Sequence, residues 1–222
     1  MREKVGEIFS IPRENPPLEN CTISKTIQAG KTPVTYFSLA KDTDISKEFY
    51  PYHKFLLVLD GQLDVYEEKE QISLHKGQGM CTKIGVPLGM GTQQGTVYLE
   101  VLIEKEARMH KIMKEGEVFK LADLLPYQEG KIVNMDLFHN EKTKFVLMSF
   151  AEGTSLPEHG APGDALIFAL DGQATIGYEG EEHQIKAGEN FHFAKAGRHW
   201  IKAGKAFKMA LLLTLEDEGE DR

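Results

Sequence analysis

Imidazoles are the side chains in this 222-residue chain best suited to chemistry: eight histidines are present, and four of them, His159, His183, His192 and His199, fall in its last third. An imidazole ligates a divalent metal through one nitrogen, or moves a proton near neutral pH, so such a group points to metal or acid–base chemistry. Two of the four follow glycines at fixed intervals. Gly153 is followed by five residues and then His159, and His199 lies eleven positions after Gly188. Asp164, in Pro162-Gly163-Asp164, is the next carboxylate downstream of His159. The two cysteines, Cys21 and Cys81, form neither a CxxC pair nor a zinc-ribbon spacing and read as ordinary reduced thiols.

These residues need a frame, and the chain supplies one twice. Asp60-Gly61-Gln62 recurs 111 positions later as Asp171-Gly172-Gln173, and the same offset pairs Lys31-Thr32 with Lys142-Thr143, Thr43 with Thr154, Glu70 with Glu181 and Gly77 with Gly188. Gly6-Glu7-Ile8-Phe9 answers Gly116-Glu117-Val118-Phe119 at an offset of 110, which one insertion or deletion reconciles. A nearly constant offset over this much chain means two copies of one unit. Each copy reads as β-structure. Residues 55–59, Asp60-Gly61 and residues 62–66 have the pattern of a hairpin with a positive-φ turn, repeated by residues 166–170, Asp171-Gly172 and residues 174–178. Gly77 and Gly188 punctuate the entry to a further strand pair, and residues 96–102 and 207–215 supply a closing apolar strand in each copy. Short strands with Gly-rich turns predict a sandwich or barrel. Residues 104–115 are charged and rich in helix formers, which predicts a linker with a helical turn or two, and residues 121–125 predict another short helix.

With their residues laid out in this way, both copies resemble cupin domains, and the chain is similar to a bicupin. The family's first motif, G-x5-H-x-H-x3,4-E-x6-G, is met by Gly153, His159 and Gly172, and its second, G-x5-P-x-G-x2-H-x3-N, by Gly188 and His199. The resemblance implies an all-β fold of two tandem double-stranded β-helix barrels of the jelly-roll, cupin/RmlC-like type. It divides the chain into an N-terminal barrel with a degenerate site (1–104), a linker (105–115), a C-terminal barrel with a partial site (116–215) and an acidic, solvated tail (216–222). It also implies that His159 and His199 are metal ligands contributed by different strands. The second imidazole position is Ala161, the carboxylate position Ala165, and the Pro, inner Gly and final Asn of the second motif are Ala194, Ala196 and Ala203. Asp164 and His183 are the candidate third donors. Asp164 needs a bulge to turn it across the strand, and His183 stands where the first copy has the apolar Ile72, either as a donor or as a hydrogen-bonded core histidine. His192 faces opposite to Phe191 and Phe193, and burying the two rings is the cheaper arrangement, so Phe191, Phe193 and Phe168 are expected to line the pocket. In the first copy the four ligand positions are Glu48, Tyr50, Lys54 and Leu88, which predicts a structural half without a metal cluster; His53 there is the mate of Asp164.

Charge and hydropathy narrow the classes. With 26 Lys+Arg against 34 Asp+Glu the formal charge is −8, which repels phosphate backbones, so nucleic acid is not an expected partner and no helix-turn-helix segment accompanies the barrels. No apolar run approaches the roughly 18–20 residues of a membrane helix, the first residues lack the apolar core of a signal peptide, and the expected location is the cytoplasm. The resemblance then implies a small-molecule binding protein, with a weakly held divalent metal (Fe, Mn, Ni or Zn) in the C-terminal barrel. The alternatives are a metal-dependent cupin enzyme, an oxygenase or isomerase using His159 and His199, and a structural or sensory module without metal. Two donors where three or four are normal rank binding above catalysis, and a metal-free role for His159 as a base stays open. The two barrels are expected to pair within the chain, with a homodimer as a further option.

Overall fold

Apolar residues alternating with polar ones, broken by glycines, make short paired strands, and the computed structural model, which describes residues 1–29 and 32–215, consists almost entirely of them. The first copy holds β1 (Ile8–Phe9), a helical turn α1 (Ile11–Glu14), β2 (Thr22–Gln28), β3 (Val34–Leu39), β4 (Thr43–Phe49), β5 (His53–Glu67), β6 (Glu70–His75), β7 (Gln78–Cys81), β8 (Pro87–Thr92) and β9 (Thr96–Ile103). The second holds β10 (Arg108–Met109), β11 (Val118–Lys120), a 3-10 turn (Leu121–Asp123), β12 (Ile132–His139), β13 (Thr143–Phe150), β14 (Ser155–Gly160), β15 (Asp164–Tyr178), β16 (Glu181–Lys186), β17 (Asn190–Phe193), β18 (Arg198–Lys202) and β19 (Phe207–Thr214). The protein is all-β, with two antiparallel sheet systems of jelly-roll type. One runs β1-β17-β15-β19-β13-β12-β10 with β16, β18 and β14 attached through β15; the other runs β11-β7-β5-β9-β3-β2 with β6, β8 and β4 attached through β5.

The two compact units do not follow the chain continuously. One comprises Met1–Ile11, Arg108–His110 and the chain from Leu121 onward; the other comprises Pro12–Ala107 and Lys111–Lys120. Each unit therefore takes its outermost strand from the leader of the other copy: β1 pairs with β17 through Ile8 and Phe191, and β11 pairs with β7 through Val118 and Met80. Asn190 fixes the first of these leaders, accepting the Ile11 N–H at 3.1 Å while its own amide donates to the Ile167 carbonyl at 3.0 Å.

Strand register reproduces the repeat. Glu48 faces Leu88 as His159 faces His199, and Leu56 faces Glu100 as Ile167 faces Leu211. The bulges recur as well, between Ile45 and Glu48 and between Leu156 and His159. Alternation along β15 turns Ala165, Ile167 and Ala169 into one barrel interior with Phe191, Phe193 and Met209, and β5 turns Leu56 and Val58 into the other with Met80 and Tyr98.

Two local expectations are corrected. Asp60-Gly61 and Asp171-Gly172 do not reverse the chain. β5 and β15 each run 15 residues straight through them, with bulges between Val58 and Asp60 and between Ala169 and Asp171 that carry each strand from one sheet into the other. A hairpin turn and a bulge both ask for glycine at positive φ, and Gly61 (+77°) and Gly172 (+71°) serve the bulge. The chain reverses later, at Glu68 and at Glu179-Gly180, where φ is also positive. Residues 105–115 are not helical: Ala107 closes a turn onto the Glu104 carbonyl, β10 pairs with β12, and the His110 N–H donates to Leu137. Sheet pairing there overrides helix propensity. The 3-10 turn at Leu121–Asp123 is the short helix expected after it. The acidic tail, 216–222, lies outside the described residues. Among the described residues no helix is long and apolar enough to cross a membrane.

Candidate functional site

The bulge in β14 and the register of β18 place His159 and His199 directly opposite one another, with ring centroids 4.2 Å apart. Their settings differ, since His159 is exposed at the strand surface while His199 is 6% exposed. In each ring Nδ1 is committed to the carbonyl two residues back, that of Pro157 at 2.9 Å for His159 and that of Gly197 at 3.0 Å for His199. A carbonyl only accepts, so in the neutral form of each ring Nδ1 carries the proton and Nε2 keeps its lone pair. Phe193 stacks on His199 at 3.9 Å and 19°, and Tyr178 meets Phe193 at 5.5 Å, so an aromatic wall backs the imidazole pair.

Burial lowers the affinity of His199 for a proton, and neighbouring His159 lowers it further against the opposing pull of the Gly197 carbonyl. His199 is thus neutral at neutral pH. A histidine whose folded value is depressed stabilises the fold above its unfolded value and loses that contribution as pH falls through the folded one. Lowering the pH from about 7 to about 5 is therefore expected to reduce the urea midpoint, and His199→Phe is expected to flatten that dependence. An equally steep profile in the variant would assign the effect elsewhere.

The other residues singled out by sequence are distributed as follows. Phe191 and Phe193 sit in the barrel interior. His183 lies 5.1 Å from Phe191, on the inward face of β16 alongside Ile185. Phe168 is on the opposite face of β15 from Ile167, tilted against Phe145 at 6.2 Å, and so takes no part in a wall around the histidines. Asp164 does not turn toward His159. It receives the Lys195 N–H at 3.1 Å and the Met1 amino group, and stands 3.7 Å from Nε2 of His192. Burial works against its ionisation, but the amino group, the Lys195 N–H and His192 outweigh this and hold the carboxyl below the usual range. His192, 1% exposed, lies beneath the leader with Nδ1 donating to the Glu3 carbonyl at 3.0 Å. Neither cysteine is in a disulfide among the described residues, and burial, helped by Glu115 and Glu67, pushes the Cys81 thiol up to about 12, which leaves it inert.

Two imidazoles are half of a metal ligand set, and Ala161 and Ala165, both in the core, stand where further donors would be. Among the described residues no three histidine, cysteine or carboxylate side chains gather as a metal site. This donor set does not fit a tightly held resident metal. What it offers is a pair of hydrogen-bond-accepting nitrogens against an aromatic and alanine-lined wall. Ala161 and Ala165 were legible in the sequence as motif positions without a donor, whereas Tyr178 carries no ligand signature beyond closing a repeated strand.

Residues 146–214 match the family model of the cupin domain. Among solved structures, a cupin 2 conserved barrel domain protein from Leptotrichia buccalis is similar over 96% of this chain and 98% of its own, at 25% identity and a TM-score of 0.84. A mutant salicylate 1,2-dioxygenase from Pseudoaminobacter salicylatoxidans is similar over 82% of this chain and 70% of its own, at 9% identity and a TM-score of 0.61. A deletion mutant of Bacillus subtilis oxalate decarboxylase is similar over 96% of this chain and 78% of its own, at 11% identity and a TM-score of 0.54. The last two share the fold alone. No curated protein matches the chain.

Proposed function

We propose that the C-terminal barrel, in which residues 146–214 match the cupin domain, binds a small molecule through the paired imidazoles of His159 and His199. The observation that carries this is the commitment of both Nδ1 atoms to backbone carbonyls, which fixes two lone pairs side by side. Two acceptors select a ligand rich in donors, such as an enol, a phenol or a protonated acid, and Phe193 and Tyr178 suit one with a flat face. A divalent metal held by the same two nitrogens would be weakly bound and would act as a Lewis acid toward a ligand oxygen.

Two measurements test the reading. Elemental analysis of freshly isolated protein is expected to show well under one transition metal per chain; one tightly held metal, lost in His159→Ala, would overturn the ranking of ligand over metal. Titration of the metal-free protein with catechol is expected to move the Nε2 resonances of both histidines, and resonances unmoved by catechol and by acetohydroxamate would refute binding there. The neutrality of buried His199 favours a second reading, a metal-free acid–base enzyme. Its signature is a turnover that needs no metal and disappears in His199→Ala.

A further inference from the structure

None of the four ligand positions of the N-terminal barrel holds a histidine, yet its interior is not wholly apolar. Lys54, in the middle of an apolar strand, shares the inward face of β5 with Leu56 and Val58 and is 5% exposed. Its ammonium lies 3.0 and 3.2 Å from the two carboxylate oxygens of Glu100, and 3.7 Å above the ring of Tyr50. Glu100 faces Leu56 across the β5–β9 ladder and so points inward as well. Tyr50 in turn donates to Glu48 at 3.0 Å at the exposed end, beside Tyr52 at 5.6 Å. Deeper in, the ring of Tyr98 stacks on Phe37 at 5.1 Å, and its hydroxyl is fully buried without a hydrogen-bond partner among the described residues.

A buried hydroxyl with nothing to donate to, next to a buried ion pair, is an expensive arrangement for a purely structural barrel. From this juxtaposition we propose that the N-terminal barrel is a second, metal-free binding site for a small uncharged molecule bearing neighbouring hydroxyl groups, held by Tyr98, Glu100 and Lys54 and stacked on Tyr50 and Tyr52. Charge selects the class. Lys54 is already neutralised by Glu100, and Glu48 at the mouth repels an anion. A cationic ligand meets the ammonium of Lys54 on the very ring that would receive it. A hydroxyl, by contrast, accepts from Tyr98 and donates to the free lone pairs of Glu100 at the same time, and its carbon skeleton suits the tyrosine faces. Burial first, and then Glu100 and Tyr50, keep the Tyr98 phenol protonated and therefore a donor.

The test is titration of the full-length protein with glucose, xylose and myo-inositol as neutral probes and glucuronate and glucosamine as their charged counterparts, followed by the ring resonances of Tyr50, Tyr52 and Tyr98. At least one neutral probe is expected to bind, with the charged counterparts at least about tenfold weaker. Tyr98→Phe keeps the ring and removes only the orphan hydroxyl, and is expected to weaken binding about tenfold. Lys54→Met is expected to abolish it. His199→Ala is expected to leave it unchanged, which separates this site from the C-terminal one. Failure of all three neutral probes to bind the folded wild-type protein overturns the proposal, as does tighter binding of glucuronate, or wild-type affinity in Tyr98→Phe. Where Lys54→Met does not fold, Tyr98→Phe carries the decision.

Discussion

Gly172→Ala is expected to lower the unfolding free energy by about 2–5 kcal/mol. The residue sits at φ +71°, where an L side chain is strained by about 1–2 kcal/mol, and a Cβ there would stand 2.0 Å from the Ala206 carbonyl oxygen. That oxygen is backbone, held next to the Gly172–Phe207 rung of the β15–β19 ladder, so it has no rotamer by which to retreat. Gly61 repeats the situation, at φ +77° and 2.1 Å from the Gly95 oxygen, and the same loss is expected of Gly61→Ala. Gly188 supplies the control: its φ is +85°, but none of the described residues comes within 4 Å of where a methyl group would stand, so Gly188→Ala should show the conformational penalty alone, about 1–2 kcal/mol. Urea denaturation with an unchanged slope measures all three. Should Gly172→Ala lose no more than Gly188→Ala, the close passage of the two backbones at the bulge is not what makes glycine necessary there.

These glycines also show where the sequence speaks and where it is ambiguous. The offset of 111 residues identified two copies, and the recurrence of Glu48–Leu88 as His159–His199 demonstrates that the copies fold in the same register. Asp-Gly between apolar runs, however, is written identically for a reversal and for a bulge, and only the partner strands decide. Exchange of the leaders is invisible for a related reason, because Ile8-Phe9 and Val118-Phe119 are equivalent edge strands that fit either barrel by pattern. In the C-terminal barrel, the glycine spacing that singles out His159 and His199 selects two rings 4.2 Å apart, and strand parity turns Phe191 and Phe193 inward. The same parity places Phe168 on the other face of β15 from Ile167, a step that follows once the continuous strand is known. The Lys54–Glu100 pair matches no metal-ligand pattern, and Glu100 lies outside the four ligand positions of the first copy. A signal did exist: each residue is a lone charge inside an apolar strand, and such charges are rarely buried unless paired.

That pair carries the other large expected effect. Lys54→Met on its own leaves the Glu100 carboxylate in the barrel interior without its counter-ion, and is expected to destabilise the protein by about 3–5 kcal/mol at neutral pH. Burial already raises the proton affinity of Glu100, with Lys54 the opposing influence, so removing the ammonium raises it further. A carboxyl whose folded value lies above its unfolded one contributes its full stability below the unfolded value and loses it as pH rises through the folded one. The variant should therefore be more stable in mild acid than at neutral pH, recovering part of its loss as Glu100 takes up a proton. Lys54→Met combined with Glu100→Leu removes both charges, matches the apolar Ala165 and Leu211 of the sibling barrel, and is expected to restore most of the wild-type stability with no such slope. Urea midpoints across pH for the single and double variants decide the matter. A double variant as unstable as Lys54→Met would mean that packing of the lysine stem, rather than its charge, is what the barrel requires; recovery in the double variant would show that the ion pair is dispensable for folding.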